Sequence, residues 1–414
     1  MHNRRNHRLT EPARHQGVIR FEMPDEVLPV DHQARVLWQA FDKLDLSAFL
    51  NSARSMEGSA GRPTHSPQMM LTLWSYAISQ GVGSAREISR LVKSDSAYGW
   101  IVGSVEVSHH MLSKFRVGHA AALDNLMSDV LAALMHKGVL TLGLVAQDGM
   151  RIRAAASAPS FRTLESLHAC REQAALHLKA VLAQADDPSH SLAQKAAREA
   201  GARDFQRRIE EAIATAQDLQ QTRDATDKPV RVSTSDAEAR VMKMGDGGFR
   251  PALNLQMATA GSEMGGPRTI VGVNVCNVGS DMGSITPMLD QIERRTGQLP
   301  ETLLADSNHA NHAAIADAKA RGTTLLVPVP KRSKEAKNGD QTPAVQDWKS
   351  MMETPEAKEL YRARAGLCEL MNAHVTHRFG LRQFLVRGIA KATSVALLIA
   401  ITSNITQHIA AFAN

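Results

Sequence analysis

At 414 residues the chain is long enough for two or three domains around a sizeable core. Its formal net charge of +6 suits a polyanionic partner. Aromatic residues make up only 4% of it, which argues against single-strand stacking platforms as the main mode of binding.

Residues 1–30 read as a basic arm, whose first twenty residues carry Arg4, Arg5, Arg8, Arg14 and Arg20 against a single acid, Glu11. Such arms are often solvated tags, and they also lie along phosphates when a DNA-binding domain follows. Residues 31–138 read as a helical domain of that kind. Val36, Leu37, Ala40, Phe41 and Leu44 fall at helical spacing within His32–Ser52. After Gly61-Arg62-Pro63, the pair Ser66-Pro67 is an N-cap with proline at N1, opening a helix over Gln68–Gln80. Ser84-Ala85-Arg86-Glu87 is a capping box that opens a short helix through Val92. A turn region with Gly99, Trp100 and Gly103 separates it from a second short helix beginning at Ser108, which presents His109, His110, Ser113, Lys114 and Arg116. Two short helices, the second polar and basic, fit a helix-turn-helix whose second helix enters the major groove. A plain bundle with a solvated polar face is the competing reading. Ala120–His136 is a longer amphipathic helix.

Residues 139–414 then change to α/β character. Leu140, Leu142, Leu144 and Val145 form an apolar run too short for a typical helix, the mark of a strand buried on both faces. It ends in Asp148-Gly149 and the arginines Arg151 and Arg153. A carboxylate at a buried strand needs a partner, and a metal ion is one. Residues 159–230 interrupt the strand order. Within them Pro159–Gln221 is rich in Ala, Gln, Glu, Arg and Lys, breaks near Asp186-Asp187-Pro188, and reads as an antiparallel helical hairpin used as an accessory arm or dimer contact. Strands resume at Leu253–Ala260 and Thr269–Val278; a helix at Ser284–Thr296 follows, then a strand at Glu301–Ala305 stopping at Asp306. Asn308–Arg321 is the next helix and Thr323–Pro328 another buried strand. The expectation is a mixed α/β sheet. A charged loop at Lys331–Asp340 leads to helices at Pro355–His377, which carries Glu369, and at Val395–Ala411.

Two strands therefore end in an aspartate, Asp148 and Asp306, and a late helix offers Glu369. Three converging carboxylates can hold a pair of Mg²⁺ ions, Mn²⁺ being the alternative, through oxygen ligands. Such a pair stabilises both the attacking and the leaving oxygen of an in-line phosphoryl displacement. Spacing alone carries little weight among 42 acids. His309 and His312 sit at i, i+3 beside Asp306 as a weaker metal pair, since Mg²⁺ prefers oxygen. Gly245–Gly248 lacks the lysine and helix of a nucleotide-binding loop.

From about Val36 to His408 the chain resembles bacterial insertion-sequence transposases of the DDE class. The likeness rests on GRPTHSPQMMLTLWSYAISQGVGSAREI and the later SKFR, and above all on WKSMMETPEAKELYRARAGLCELMNAH followed by RFGLRQFLVRGIAK. The resemblance implies a ribonuclease H-like catalytic core after a helical DNA-binding domain. It places Asp148, Asp306 and Glu369 on the catalytic, metal-binding acids, with Tyr361 and Arg364 on the same helix as the glutamate. Where a lysine often follows that glutamate by seven residues, this chain has Thr376, with His377 and Arg378 beside it. Ser307-Asn308-His309 stands where a small residue, glycine and an aromatic usually follow the second aspartate. Ser235–Arg240 also resembles a family stretch, in which Asp236 and Arg240 either touch DNA or cap structure. Contacts to DNA are expected from Arg4, Arg5, Ser113, Lys114, Arg116, Tyr361, Arg364 and Arg378.

The activity implied is binding of terminal inverted repeats, strand cleavage, and strand transfer by the freed 3′-hydroxyl, by a homodimer or higher oligomer on double-stranded DNA. A DNA-binding protein without catalysis and a metal-dependent nuclease without joining are the alternatives. Cys170, Cys276 and Cys368 are far apart and lack CxxC spacing, which argues against zinc and fits a reducing cytoplasm. No signal peptide opens the chain, and the run around Ala396–Ile401 is too short to span a bilayer, so a cytoplasmic, nucleoid-associated protein is expected.

Overall fold

The computed structural model describes residues 23–51, 64–184, 189–222, 229–262, 265–330 and 342–413. The basic arm with Arg4 and Arg5, Gly61-Arg62-Pro63, Asp186-Asp187-Pro188 and the Lys331–Asp340 loop lie outside the described residues.

The N-terminal part is helical: α1 (Gln33–Asp42), α2 (Pro67–Ser79), α3 (Ala85–Ser94), α4 (Ser96–Val102), α5 (His109–Gly118) and α6 (Ala120–His136). The caps explain the starts. Ser66, Ser84 and Ser108 each accept from the backbone N–H three residues on. The region around Gly99 and Trp100, expected as a turn, is the helix α4. Asp95 accepts from the N–H groups of both Ala97 and Tyr98, and that cap outweighs the weak propensity of Gly99. The helical stretch expected over His32–Ser52 ends at Asp42, and a 3₁₀ turn, Ser47–Leu50, follows.

The α/β part opens with β1 (Leu144–Arg153). A short strand β2 (Phe161–Thr163), the helices α7 (Leu164–Ala183) and α8 (Leu192–Thr222), and β3 (Arg231–Ser233) follow. Strands β2 and β3 pair only with each other and form the foot of the hairpin. Next come β4 (Arg240–Lys243), β5 (Phe249–Ala260), β6 (Thr269–Cys276), α9 (Ile285–Thr296), β7 (Thr302–Leu304), α10 (His312–Ala320) and β8 (Thr324–Leu326). Gly245–Gly248 is the turn joining β4 to β5.

The main sheet runs β6-β5-β1-β7-β8, with β4 on the same edge of β5 as β6. The β6-β5-β1 pairings are antiparallel and β1-β7-β8 parallel. This curled mixed sheet behind a helical region is the ribonuclease H-like arrangement. The chain then continues through α11 (Pro343–Glu353), α12 (Pro355–Tyr361), α13 (Leu370–Ala373), α14 (Ile389–Gln407) and α15 (Ile409–Ala413).

Where one helix was expected over Pro355–His377, two π-helical turns, Ala365–Glu369 and His374–Arg378, flank α13. A π turn accommodates one extra residue and re-aims the side chains around it, and such turns concentrate at functional sites.

One hydrophobic core runs from Leu28 to Phe412 and takes in both the helical part and the sheet. Its axis is α14, in which Ser394–Ile405 are all buried and which packs on α2, α5, α6 and β6. By length and composition α14 suffices to cross a membrane, unlike the shorter span expected for it; here it is enclosed by protein. Hairpin α7–α8 has a separate small core, built on Leu167, Ile209, Ile213 and Val232.

Candidate active site

Register places the two aspartates. Ala146 on β1 pairs with Leu304 on β7 in parallel, and Asp148 and Asp306 each lie two residues further on. They therefore lie at the same level of neighbouring strands, Asp148 within β1 and Asp306 two residues past β7, where interstrand spacing is about 4.8 Å. Asp148 is paired with Met257 across β5 and shares its face of β1 with Ala146 and Met150. On that side the first π turn packs against β1 and β5.

From the π-helical segment, Arg364 places Nη2 3.0 Å from Asp148 Oδ1, while its Nη1 lies 4.0 Å from Glu369 Oε1. Asn372 Nδ2 donates to the other Asp148 oxygen at 2.9 Å. Five residues separate Arg364 from Glu369, the spacing that a π turn brings together. A regular α-helix would favour four, which is why Glu369 and Cys368 exchange faces here: Cys368 is buried and Glu369 stands at the rim, its side chain 66% exposed.

Burial, with Asp306 nearby, holds the Asp148 carboxyl above the usual carboxylate range even though Arg364 pulls it down. Asp306 goes the other way. Burial raises it, but a bond from the His309 ring and the charge of Arg364 win, and its pKa is lowered. His309 Nδ1 lies 2.6 Å from Asp306 Oδ1, and Asn308 donates to Asp306 through both its backbone N–H and its side chain. Tyr361 is half-buried beside these groups, and burial raises its hydroxyl pKa.

Behind the aspartates lies a polar network that sequence reasoning missed. His309 is fully buried and its Nε2 lies 3.3 Å from Gln256 Oε1. Gln256 Nε2 donates to Asp281 Oδ1 at 2.6 Å, as does Asn254 Nδ2 at 2.9 Å. Asp281 Oδ2 takes a 2.8 Å ion pair from Arg151, and Gln147 bridges Gln256 to Ser284. Gln147, Gly149 and Arg151 share the face of β1 opposite Asp148. Gly149 must be glycine, because a Cβ there would overlap Gln256 Nε2 and Asp281 Oδ1. The only sequence signal was the run of polar residues at alternate positions in two otherwise apolar strands.

The oxygen donors and the anionic, half-buried setting of Asp148 fit a hard divalent cation. As the side chains stand, Arg364 spans Asp148 and Glu369. Among the described residues no group of three or more His, Cys, Asp or Glu side chains is close enough to hold a metal. His312 is not part of the site: its ring lies against Trp348.

The other expected contacts divide. Lys114 and Arg378 are exposed and Ser113 is half-buried. Arg116 does not stand on the outer face of α5 as expected: it is 7% exposed, its guanidinium stacks over the Trp74 ring, and Nη1 donates to Gly83 O. In Ser235–Arg240 the contacts the structure shows are structural, Arg240 Nη1 donating to Ala237 O and Ala239 O. Asp236 accepts from Gly388 N and Glu238 from Ile389 N, so two carboxylates cap the start of α14. Thr376 Oγ1 donates to Asn372 O and brings no charge to the site.

Residues 22–118 match the family described as a transposase domain (DUF772), and residues 330–409 match a transposase DDE domain. The first covers the helices α1 to α5, and the second carries Arg364 and Glu369. Residues 119–329, which hold Asp148 and Asp306, lie between them. No curated protein and no solved structure matches the chain. The match to a transposase DDE domain, on a chain with a helical region and a ribonuclease H-like sheet, points to an enzyme acting on DNA. The two family matches support an insertion-sequence transposase of the DDE class.

Proposed function

We propose that this transposase binds the terminal inverted repeats of its own element, hydrolyses the strand joints, and uses the freed 3′-hydroxyl to attack target DNA. The observation that carries the reading is the placement of Asp148 and Asp306 at one level of adjacent parallel strands, with Arg364 joining Asp148 to Glu369. Divalent metal use is general in the DDE family, and Asp148, Asp306 and Glu369 are the residues that would hold Mg²⁺ or Mn²⁺ here. When bound, such ions activate the attacking oxygen and stabilise charge on the phosphate.

The chain's own groups do the positioning. His309 and Asn308 fix the Asp306 carboxylate, and Asn372 fixes Asp148. Arg364 neutralises the acid cluster, and its side chain, 13% exposed, is placed to swing toward an arriving scissile phosphate. Tyr361 lines the same side with a hydroxyl that stays protonated. In hydrolysis water attacks phosphorus and the 3′-oxygen leaves with a proton; in transfer that 3′-hydroxyl attacks a target phosphodiester and the target's own 3′-oxygen leaves. Hydrolysis turns the diester into a monoester and a 3′-hydroxyl; transfer forms one phosphodiester as it breaks another, the leaving oxygen ending protonated, and neither step changes an oxidation state. A pair of subunits holding two element ends is part of the proposal.

Incubating the protein with Mg²⁺ and DNA bearing the native ends tests this. Joined products support it. Nicks without joining would favour a nuclease, and a shifted but uncut band a DNA-binding protein. Asp148→Asn and Asp306→Asn should each abolish cleavage and leave end binding intact, because an amide loses the metal and not the DNA surface.

A further inference from the structure

A cavity of about 370 Å³ lies between the helical part and the core, away from the carboxylates. It is walled by α2, the α2–α3 loop, α5, the segment Phe379–Leu385 and α14. Gly380 closes one side; its φ of 71° and its approach to Gly81 O exclude any side chain there.

Arg116 lines this cavity almost completely buried; its guanidinium stacks over the Trp74 ring, and among the described residues no carboxylate pairs with it. Among the described residues its one hydrogen bond is the 2.9 Å bond from Nη1 to Gly83 O, and its Nε has no partner. Burial alone pushes its pKa down to about 10, with no carboxylate opposing the shift. A buried charge in that position costs several kcal/mol, and chains keep such a group when something arrives to pair with it. A second, independent feature points the same way: the N-terminus of α3, with its cap Ser84, opens on the same cavity. Helix N-termini favour anions through their free N–H groups and dipole. Glu87 in that first turn is already engaged by Arg90. Arg382 adds a further cation from the opposite wall. The remaining lining, including Ile78, Val82 and Leu398, is apolar and suits a sugar ring better than a bare hydrated ion.

We propose that this cavity binds a phosphate of the DNA backbone, with Arg116 as its buried positive charge and the α3 N-terminus as its second donor. This rests on the transposase reading for the source of the phosphate, but not for its chemistry. It also differs from a groove contact by an exposed arginine on α5. A purely structural Arg116 would tie α5 to Gly83 and to Trp74 and nothing more.

The test uses the full chain with Arg116→Met and Arg116→Lys. Thermal midpoints are read in phosphate and in chloride at equal ionic strength, and affinity for a short random-sequence duplex is read across salt. Phosphate should stabilise the wild type and Arg116→Lys but not Arg116→Met. Arg116→Met, in chloride, should stay folded, because losing the Gly83 bond and the Trp74 stack is offset by removing a buried charge with no carboxylate partner. It should bind the duplex about tenfold more weakly, the loss expected for one charge-assisted hydrogen bond. Its log affinity against log salt should be shallower by about 0.9. A folded Arg116→Met that binds duplex as the wild type does overturns the proposal. So does a wild type that phosphate stabilises no better than chloride, which also decides the matter if Arg116→Met fails to fold. Phosphate stabilisation with unchanged duplex binding would assign the cavity to free phosphate and overturn the DNA assignment. None of these outcomes touches the cleavage reading, which stands or falls with Asp148 and Asp306.

Discussion

Replacing His309 by alanine is the sharpest probe of how the site is held. The imidazole is fully buried and touches Asp306 Oδ1 at 2.6 Å and Gln256 Oε1 at 3.3 Å. Gln256 Oε1 keeps its bond from Gln147 after the change, so that side costs little. The Asp306 oxygen loses a charge-assisted bond and the pocket loses a ring. A buried bond to a charged group is worth about 1.5–3 kcal/mol, and the vacated space adds to that, partly offset by water entering a polar site. The expected loss is therefore about 2–4 kcal/mol of stability. The functional effect should exceed what that loss explains. Residues that orient metal-binding carboxylates typically change metal affinity or activity by about 10–100-fold. Chemical denaturation measures the first, and the Mg²⁺ dependence of strand cleavage the second. His309→Gln retains one polar end and should recover part of both. If folded His309→Ala cleaves with the wild-type metal dependence, Asp306 is not positioned by His309 and the account of the network is wrong.

Other outcomes follow from the same geometry. Gly149→Ala should cost about 1–3 kcal/mol by overpacking against Gln256 and Asp281, read as a lowered denaturation midpoint. Asp124 pairs with the buried Arg295 at 2.6 Å and with Arg294 at 2.8 Å across α6 and α9. Asp124→Ala should lose about 3–5 kcal/mol by stranding Arg295. Burial opposes the shift, but the two arginines hold the Asp124 pKa below its ordinary value. Its contribution is therefore complete above the unfolded value of about 3.9 and lost as pH falls through the folded pKa, so acid unfolding of the wild type should lose the advantage over Asp124→Ala. Replacing residues 164–222 by a short Gly/Ser linker should leave the sheet folded by circular dichroism and reduce dimerisation or paired-end binding in light-scattering and band-shift assays.

Much of this was legible because local chemistry and tertiary structure agree. Ala120–His136 is a helix at those limits, and the short strand before Asp306 follows from its apolar run. The first strand does not end at Asp148: β1 starts at Leu144 and continues through Asp148 to Arg153, because β5 pairs with it as far as Arg153. The failures have physical causes. The π turns around Glu369 depend on packing against β1 and β5, which no periodicity reports. Arg116 looked like a surface cation because its neighbours Ser113 and Lys114 are polar; its burial comes from Trp74, 42 positions away in sequence numbering, stacking under the guanidinium. Asp281 and Gln256 sit in a loop and a strand with no motif, and only the missing side chain at Gly149 lets them meet.

The separate cores give the hairpin and the helical region different physical standing. Helices α2, α5 and α6 share α14 with the sheet, so their burial is part of the same cooperative unit as Asp148 and Asp306. A change that loosens α14 must therefore disturb the helical region and the catalytic strands together. Hairpin α7–α8 buries little more than one face of Ala, Ile and Leu, and leaves Leu176 and Leu192 exposed. Two helices with so thin a stripe hold together weakly alone. Its charges are mostly satisfied within α8, by Arg203 with Glu199 and Arg207 with Asp204 and Glu211. An arm of that kind gains order from what it leans on, whereas the helical region needs no DNA to stay docked. Among the described residues, then, the helices and the sheet share one core, while the hairpin above the foot formed by β2 and β3 has its own.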